Sequence, residues 1–235
     1  MLIIEDVPWD SAFFGYKVGK ITVNAPITAP LAPILHENNT YRLIYIFSVR
    51  ELTEPIPGCP LIDRKIMLHQ SIPAESDTPC SAVRIVPFDP DQDDFEALKQ
   101  LALLSGTYSR FNTDKNFSEN EYVKLYSQWI YGSVYEHTSF CILTAKQGQV
   151  ISGFVTLEKK TTALCAIGLL AVSPSARGTG VGVALVQEAI KKARAYGFTE
   201  IQVITQGANT AAMRLYLKTG FRVLSTTFIY HYRNV

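Results

Sequence analysis

Between Ser173 and Gly182 the chain reads SPSARGTGVG, with one arginine followed by glycines at positions 178, 180 and 182. The apolar run from Ala163 to Val172 precedes it, and a helix-like segment follows. Glycines at alternate positions between a buried strand and an amphipathic helix have a geometric purpose: without a Cβ the backbone turns tightly and a ligand can come close to it. Those same neighbours exclude a flexible linker. A Walker A loop requires G-x-x-x-x-G-K-[ST], and no lysine followed by Ser or Thr occurs in this stretch. A dinucleotide fingerprint starting at Gly178 and Gly180 needs a glycine or alanine where Val183 stands, and one starting at Gly180 and Gly182 needs it where Leu185 stands. Glu200 lies twenty residues beyond Gly180 but precedes its strand, where it is poorly placed to take a ribose hydroxyl. What remains is a strand, a turn of exposed amides and a helix N-terminus with partial positive charge. That arrangement binds a pyrophosphate without a lysine.

An anion held here must be held locally. Twenty-two basic and 21 acidic residues leave a formal net charge of +1 on 235 residues, so no global field draws nucleic acid or an anionic membrane. With 47% hydrophobic residues the chain has enough apolar surface for a packed core. Its first residues, MLIIEDVPWD, are acidic where a signal peptide is basic, and the run from Ala163 to Val172 is too short to span a bilayer. A cytoplasmic chain without a membrane partner is therefore expected. Cys59, Cys80, Cys141 and Cys165 form no C-x-x-C pair, and His36, His69, His137 and His231 are isolated from one another. Neither a structural disulfide nor a metal site is expected.

The segment His69 to Cys80, HQSIPAESDTPC, is rich in proline and polar residues and reads as a linker. It divides a small mixed N-terminal domain, residues 1–72, from a larger domain, residues 80–235. The first carries strand patterns at Leu43–Val49 and Leu61–Leu68, separated by proline-rich loops such as NAPITAPLAP. In the second, VRIVPF reads as a strand, Phe95–Leu104 as a helix, and Ser118–Tyr135 as a longer helix whose Ser118 and Glu121 form a capping box. A hairpin turning near Gln147–Gln149 follows, then a central strand, ALCAIGLLAV, and a helix over Val183–Ala195. EIQVITQ is the next strand, NTAAMRLYLKTG a short helix opened by Asn209 and closed by Gly220, and FRVLSTTFIYHYR the last strand. The fold class is mixed α/β, a central sheet flanked by helices.

The pattern Arg177-x-x-Gly180-x-Gly182 after a strand resembles the [QR]-x-x-G-x-[GA] signature of the GCN5-related N-acetyltransferases (GNATs). IGLLAVSP before it and NTAAMRLYLKTGF after it resemble two further signature regions in the same order. The resemblance covers roughly Val83 to the C-terminus and implies the GNAT fold, acetyl-CoA as donor and no metal. It implies cofactor contacts from the amides of Leu170, Ala171 and Val172, freed by a bulge near Leu169–Ala171. Further contacts come from Arg177, Gly178, Thr179, Gly180, Val181 and Gly182, and from Asn209 and Leu215. Tyr216, seven residues beyond Asn209 and so on nearly the same helix face, is implied as general acid to the departing sulfur. Read without the resemblance, Asn209 is an N-cap and Tyr216 a core residue of an amphipathic helix.

The segments WDSAFFG, YSRF, LYSQWI and NTAAMRLY look like one group within that family, the dTDP-fucosamine acetyltransferases. These act on the 4-amino group of a dTDP-linked 4-amino-4,6-dideoxygalactose. That likeness implies a sugar-nucleotide acceptor and a homodimer, with Arg110 pairing with the diphosphate and Tyr108 and Phe111 packing on base or sugar. Core aromatic residues and a surface ion pair are the plain alternatives. Asp63 is implied as the carboxylate at the end of a proton chain, with a surface ion pair to Arg64 or Lys65 as its alternative. Two other readings stand beside this one: an acetyltransferase of the same fold acting on another small amine or a peptide N-terminus, and a non-catalytic acyl-CoA sensor.

Overall fold

Strand LIYIFS, apolar at nearly every position, suits a place between two other strands with both faces covered. In the computed structural model, which describes residues 3–24, 31–74 and 83–234, this is β3 (Leu43–Ser48), and four of its first four residues are buried. Strand β2 (Val18–Val23) lies parallel to it, from Val18 opposite Leu43 to Val23 opposite Ser48. On its other side β10 (Arg222–Arg233) runs antiparallel, from Phe228 opposite Ser48 to Arg233 opposite Leu43. A short β1 (Glu5–Asp6) pairs antiparallel with β2, and α1 (Pro8–Phe14) connects the two, opened by a proline in its first turn.

Part of the proline-rich stretch expected as loop is helical: α2 spans Leu31–His36, and residues 25–30 lie outside the described residues. Pro33 is tolerated because a first helical turn has amides without intrahelical partners anyway. Leu31 and Leu35, one turn apart, are buried in a cluster with Ile21, Ile44, Ile46, Tyr230 and Tyr232. Each fully buried aliphatic side chain there contributes roughly 1.5–3 kcal/mol of transfer free energy.

Those elements form one compact unit, Met1–Ile66 with Gln206–Ala208 and Ser225–Val235; Met67–Thr205 with Asn209–Leu224 form a second. The sequence-based division cuts the chain once, between 72 and 80. The units divide after Ile66, inside β4 (Leu61–Ser71), and again near residues 206–208 and 225, where the end of β10 pairs with β3. Of the expected linker, His69 to Ser71 complete β4 (Leu61–Ser71), and residues 75–80, including Cys80, lie outside the described residues.

In the second unit the strand order is β9 (Glu200–Gln206), β8 (Leu164–Val172), β7 (Val150–Lys159), β6 (Cys141–Gln147) and β5 (Ile85–Pro87). Strands β8 and β9 pair parallel, whereas β5 with β6, β6 with β7 and β7 with β8 pair antiparallel. Helix α3 (Phe95–Ser105) is capped by Asp94, whose carboxylate accepts the Ala97 amide. Helix α4 (Arg110–Thr113) is a single turn, and α5 (Glu119–Tyr135) opens with both hydrogen bonds of the Ser118/Glu121 capping box. Phe154 on β7 is buried with Leu98, Leu101 and Ala102 of α3 and Ile130 and Val134 of α5. Its neighbour Gly153 faces the other way, where a Cβ would lie 3.2 Å from Val181 and 3.0 Å from Leu185 of α6 (Val181–Ala195). Helices thus cover both faces of this sheet. The missing side chain at Gly153 lets the N-terminal turn of α6 approach the end of β8. Helix α7 (Thr210–Lys218) precedes β10.

Candidate active site

Strand β8 is central for only part of its length. Its parallel pairing with β9 runs from Leu164 opposite Glu200 to Ile167 opposite Val203 and ends there, while pairing with β7 continues to Val172 opposite Gly153. The edge of β8 turned toward β9 is open over residues 168–172, the stretch that contains Leu170, Ala171 and Val172. The register with β7 also breaks here. Val155 and Leu157 face Leu170 and Ile167, two steps on one strand against three on the other. The resulting bulge lies at Gly168–Leu169, meeting the expected Leu169–Ala171 window at its first residue, and Thr156 Oγ1 accepts the Leu169 amide at 2.8 Å.

A 3₁₀ turn, Pro174–Ala176, follows β8 and is closed by Arg177, whose exposed side chain donates from Nε to the Val172 carbonyl at 3.3 Å. The Thr179 hydroxyl donates to the Ala176 carbonyl at 2.7 Å. Gly178 and Gly180 both have left-handed backbones, φ 78° and 90°. Helix α6 begins at Val181, two residues ahead of the expected Val183, because the left-handed turn ends at Gly180 and the Ala184 amide already bonds to the Gly180 carbonyl at 3.0 Å.

The amides of Val181, Gly182 and Val183 come before that first helical bond. Helices α3, α4, α5 and α7 each receive a side-chain cap from Asp94, Ser109, Ser118 and Asn209, whereas α6 has Gly180 at its N-cap and no side-chain cap bond. A Cβ at Gly178 or Gly180 would meet nothing within 4 Å, so open space lies over this turn. Partial positive charge, free amides and room together fit a pyrophosphate.

Helix α7 meets α6 at Gly182, where a Cβ would lie 3.3 Å from Leu215 Cδ2. Asn209 Oδ1 accepts the Ala212 amide at 3.1 Å, so this residue is the N-cap of α7. Tyr216 is 4% exposed, with its ring edge-on to Phe221 at 5.7 Å between centroids. Burial pushes its phenol above the ordinary value, so it stays protonated well past neutral pH.

YSRF straddles the start of α4, between α3 and α5. Tyr108 is 44% exposed, and the Arg110 guanidinium lies over the Phe111 ring at 4.7 Å. Phe111 is buried, 5.4 Å from Phe117 and 6.0 Å from Trp129. Asp63 is on β4 in the first unit, whereas Tyr216 and the glycine turn belong to the second. Arg64 is 3.5 Å from Glu51 and Lys65 lies over Phe47.

The glycine turn, the open β8 edge and α7 all lie in the second unit; the sequence reading passes over Thr156 and Gly168. An isolated glycine inside an apolar strand is the available signal for Gly168, since such glycines mark bulges or close approaches. Nothing along the chain marks a strand threonine as the partner of a bulge amide.

The model of the acetyltransferase (GNAT) family matches residues 102–221, from within α3 to the end of α7 and just beyond. The chain belongs to the GNAT family. A dTDP-fucosamine acetyltransferase of Escherichia coli O6:H1 is 31% identical over 238 residues, covering 96% of each chain. A spore coat polysaccharide biosynthesis protein of Bacillus subtilis strain 168 is 26% identical over 60% of this chain and 48% of its own length. In fold, this GNAT is similar to a conserved protein of Staphylococcus epidermidis, with TM-score 0.65, 14% identity, and coverage of 93% and 85% of the two chains. It is also similar to a GNAT-family acetyltransferase of Colwellia psychrerythraea, with TM-score 0.56, 14% identity, and coverage of 86% and 70%. The protein is an acetyl-CoA-dependent N-acetyltransferase, and the uncapped α6 terminus with its open glycine turn fits the donor's pyrophosphate. Among the described residues no helix is long and apolar enough to cross a membrane.

Proposed function

We propose that this GNAT acetylates the amino group of a nucleotide-linked deoxy amino sugar, dTDP-4-amino-4,6-dideoxygalactose, in the assembly of a polysaccharide. The observation that carries the acceptor is the match at 31% identity along 96% of both chains to an enzyme named for dTDP-fucosamine. The spore coat polysaccharide protein supports the same metabolic class. On the donor side, the free amides at the start of α6 hold the pyrophosphate, with Gly180 and Gly182 letting its oxygens approach them and Arg177 beside them. The open edge of β8 at Leu170 to Val172 takes the pantetheine arm and the thioester carbonyl.

The reaction is a direct transfer. The amine nitrogen attacks the carbonyl carbon, a C–N bond forms and the C–S bond breaks. Amides at the open edge stabilise the charge that develops on the carbonyl oxygen, because they are already oriented and need no reorganisation. Tyr216 gives its proton to the departing sulfur, and its burial supports this role by keeping the phenol protonated at working pH. The amine releases a proton to a base, for which Asp63 is the candidate carboxylate. An amine beside electron-withdrawing oxygens is less basic than a lysine, so a weak acceptor suffices. Arg110 and Tyr108 hold the sugar nucleotide from the α4 segment.

The deciding experiment incubates the purified protein and acetyl-CoA with a panel of dTDP- and UDP-linked amino sugars, peptides and small amines, reading thiol release. Turnover of the dTDP-linked 4-amino sugar above the others is expected. Preference for a peptide or an unrelated amine would overturn the acceptor assignment, and no thiol release with any amine would point to an acyl-CoA sensor.

A further inference from the structure

We propose that Thr156 is a positioning residue for the donor: its hydroxyl fixes the bulge that turns the amides of β8 toward acetyl-CoA. The inference rests on the acetyl-CoA reading of the β8 edge and deepens it.

An extra residue in one strand leaves an amide without a ladder partner, and a buried amide left unpaired is costly. At this bulge the amide is that of Leu169, and its acceptor is Thr156 Oγ1 at 2.8 Å, on a side chain that is fully buried. Strand propensity does not account for a threonine here. Valine has the same shape and suits a buried strand better, so what threonine adds is the oxygen.

Gly168 completes the device. A Cβ there would lie 2.9 Å from Thr156 Oγ1 and would collide with the Glu158 carboxylate, so the glycine leaves room for the hydroxyl to reach the bulge.

The bulge also resets the alternation of β8. Ile167 and Leu170, three residues apart, pair with Leu157 and Val155, which are two apart and on one face. A one-residue slip would reverse the direction of every amide from Leu170 to Val172. Pairing with β9 has already ended at Ile167, so the bulge is not held from that side. The Thr156 bond therefore holds the register on which the donor edge depends.

Thr156→Val, Thr156→Ser and Gly168→Ala in the full chain test this, with CoA binding by calorimetry, steady-state kinetics and melting temperature. The valine variant should raise the CoA Kd and the acetyl-CoA KM about tenfold, equivalent to about 1.4 kcal/mol. Its acceptor KM should stay unchanged, and serine should restore donor binding to near wild type. Gly168→Ala should shift donor binding in the same direction as valine. A merely structural threonine would lower the melting temperature and leave the donor Kd of the folded protein as it was. Wild-type CoA affinity in Thr156→Val, or in Gly168→Ala should the valine variant not fold, overturns the proposal. Failure of the wild-type protein to bind CoA would instead remove the donor reading itself.

Discussion

Gly180→Ala separates two roles that a glycine in a left-handed turn combines. The backbone at Gly180 has φ 90° and ψ −7°, a conformation that costs an L-residue roughly 1–2 kcal/mol. For a chain of this size each kcal/mol lowers the melting temperature by about 2–4 °C, so strain alone should lower it by roughly 2–8 °C. Gly178 has φ 78° and is equally open, with nothing within 4 Å of an added Cβ. Gly178→Ala should therefore cost nearly the same stability. The two differ in what the methyl faces. At residue 180 it projects from the N-cap of α6, beside the amides assigned to the pyrophosphate, whereas Gly178 lies outside that first turn. Loss of one hydrogen bond to a charged group costs about 1.5–3 kcal/mol, or roughly a 10- to 150-fold rise in Kd. Gly180→Ala should show that rise for CoA by calorimetry, and Gly178→Ala should stay within about threefold of wild type. Gly182→Ala is a poorer probe because its Cβ would press on Leu215 at 3.3 Å. Equal CoA affinity in both variants, weakened or not, would refute the assignment of the anion to the start of α6.

Tyr216→Phe keeps the buried ring and its contact with Phe221 and should cut kcat by about 10²–10⁴ with a near-native melting temperature; an unchanged kcat at saturating substrates would end its role as acid. Because burial raises the phenol, the alkaline limb of the wild-type kcat profile that belongs to Tyr216 should lie above pH 10. Arg110→Ala should raise the KM of the sugar nucleotide and spare that of acetyl-CoA, and equal effects on both would remove the arginine from the acceptor site. Asp63→Asn should displace the acidic limb of the rate profile; a superimposable limb would exclude Asp63 as proton acceptor. Burial pushes the Cys165 thiol up to about 11 and Cys59 up to about 12 from an ordinary 9.0. The folded chain holds these protons more tightly than the unfolded one, so their contribution to stability is complete below pH 9 and is lost as pH rises through 11 and 12. Urea midpoints should therefore fall above pH 9, and iodoacetamide at pH 8 should label both thiols only after unfolding; labelling of either in the folded protein would contradict its burial.

Long periodic elements were legible along the chain because their signals are local. The α5 capping box needs only Ser118 and Glu121 three residues apart, and β8 announces its central place by being apolar on both faces. The short elements of the first unit were less visible. Helix α1 has seven residues, bounded by Pro8 and Gly15, too few for a period to emerge beside its aromatic residues. Helix α2 lay in a stretch whose prolines read as loop, although Pro33 falls in a first turn that tolerates it. The pairing of β10 with β3 joins residues about 180 positions apart, and a long-range pairing leaves no mark in a window of neighbouring residues.

The same division runs through the site. The donor grip proposed here uses main-chain groups, and what exposes main chain is an absent side chain, so Gly180 and Gly182 are the residues through which the sequence suggests it. The acceptor side depends on what side chains face, which neighbours far along the chain decide. Phe111 and Tyr108 belong to the same four-letter segment, yet one is packed against Phe117 and Trp129 and the other is 44% exposed. Thr156 belongs to this second kind. Its hydroxyl acts only because β8 carries one residue more than β7 across the sheet, and that mismatch exists in the pairing of two strands, not in either strand alone.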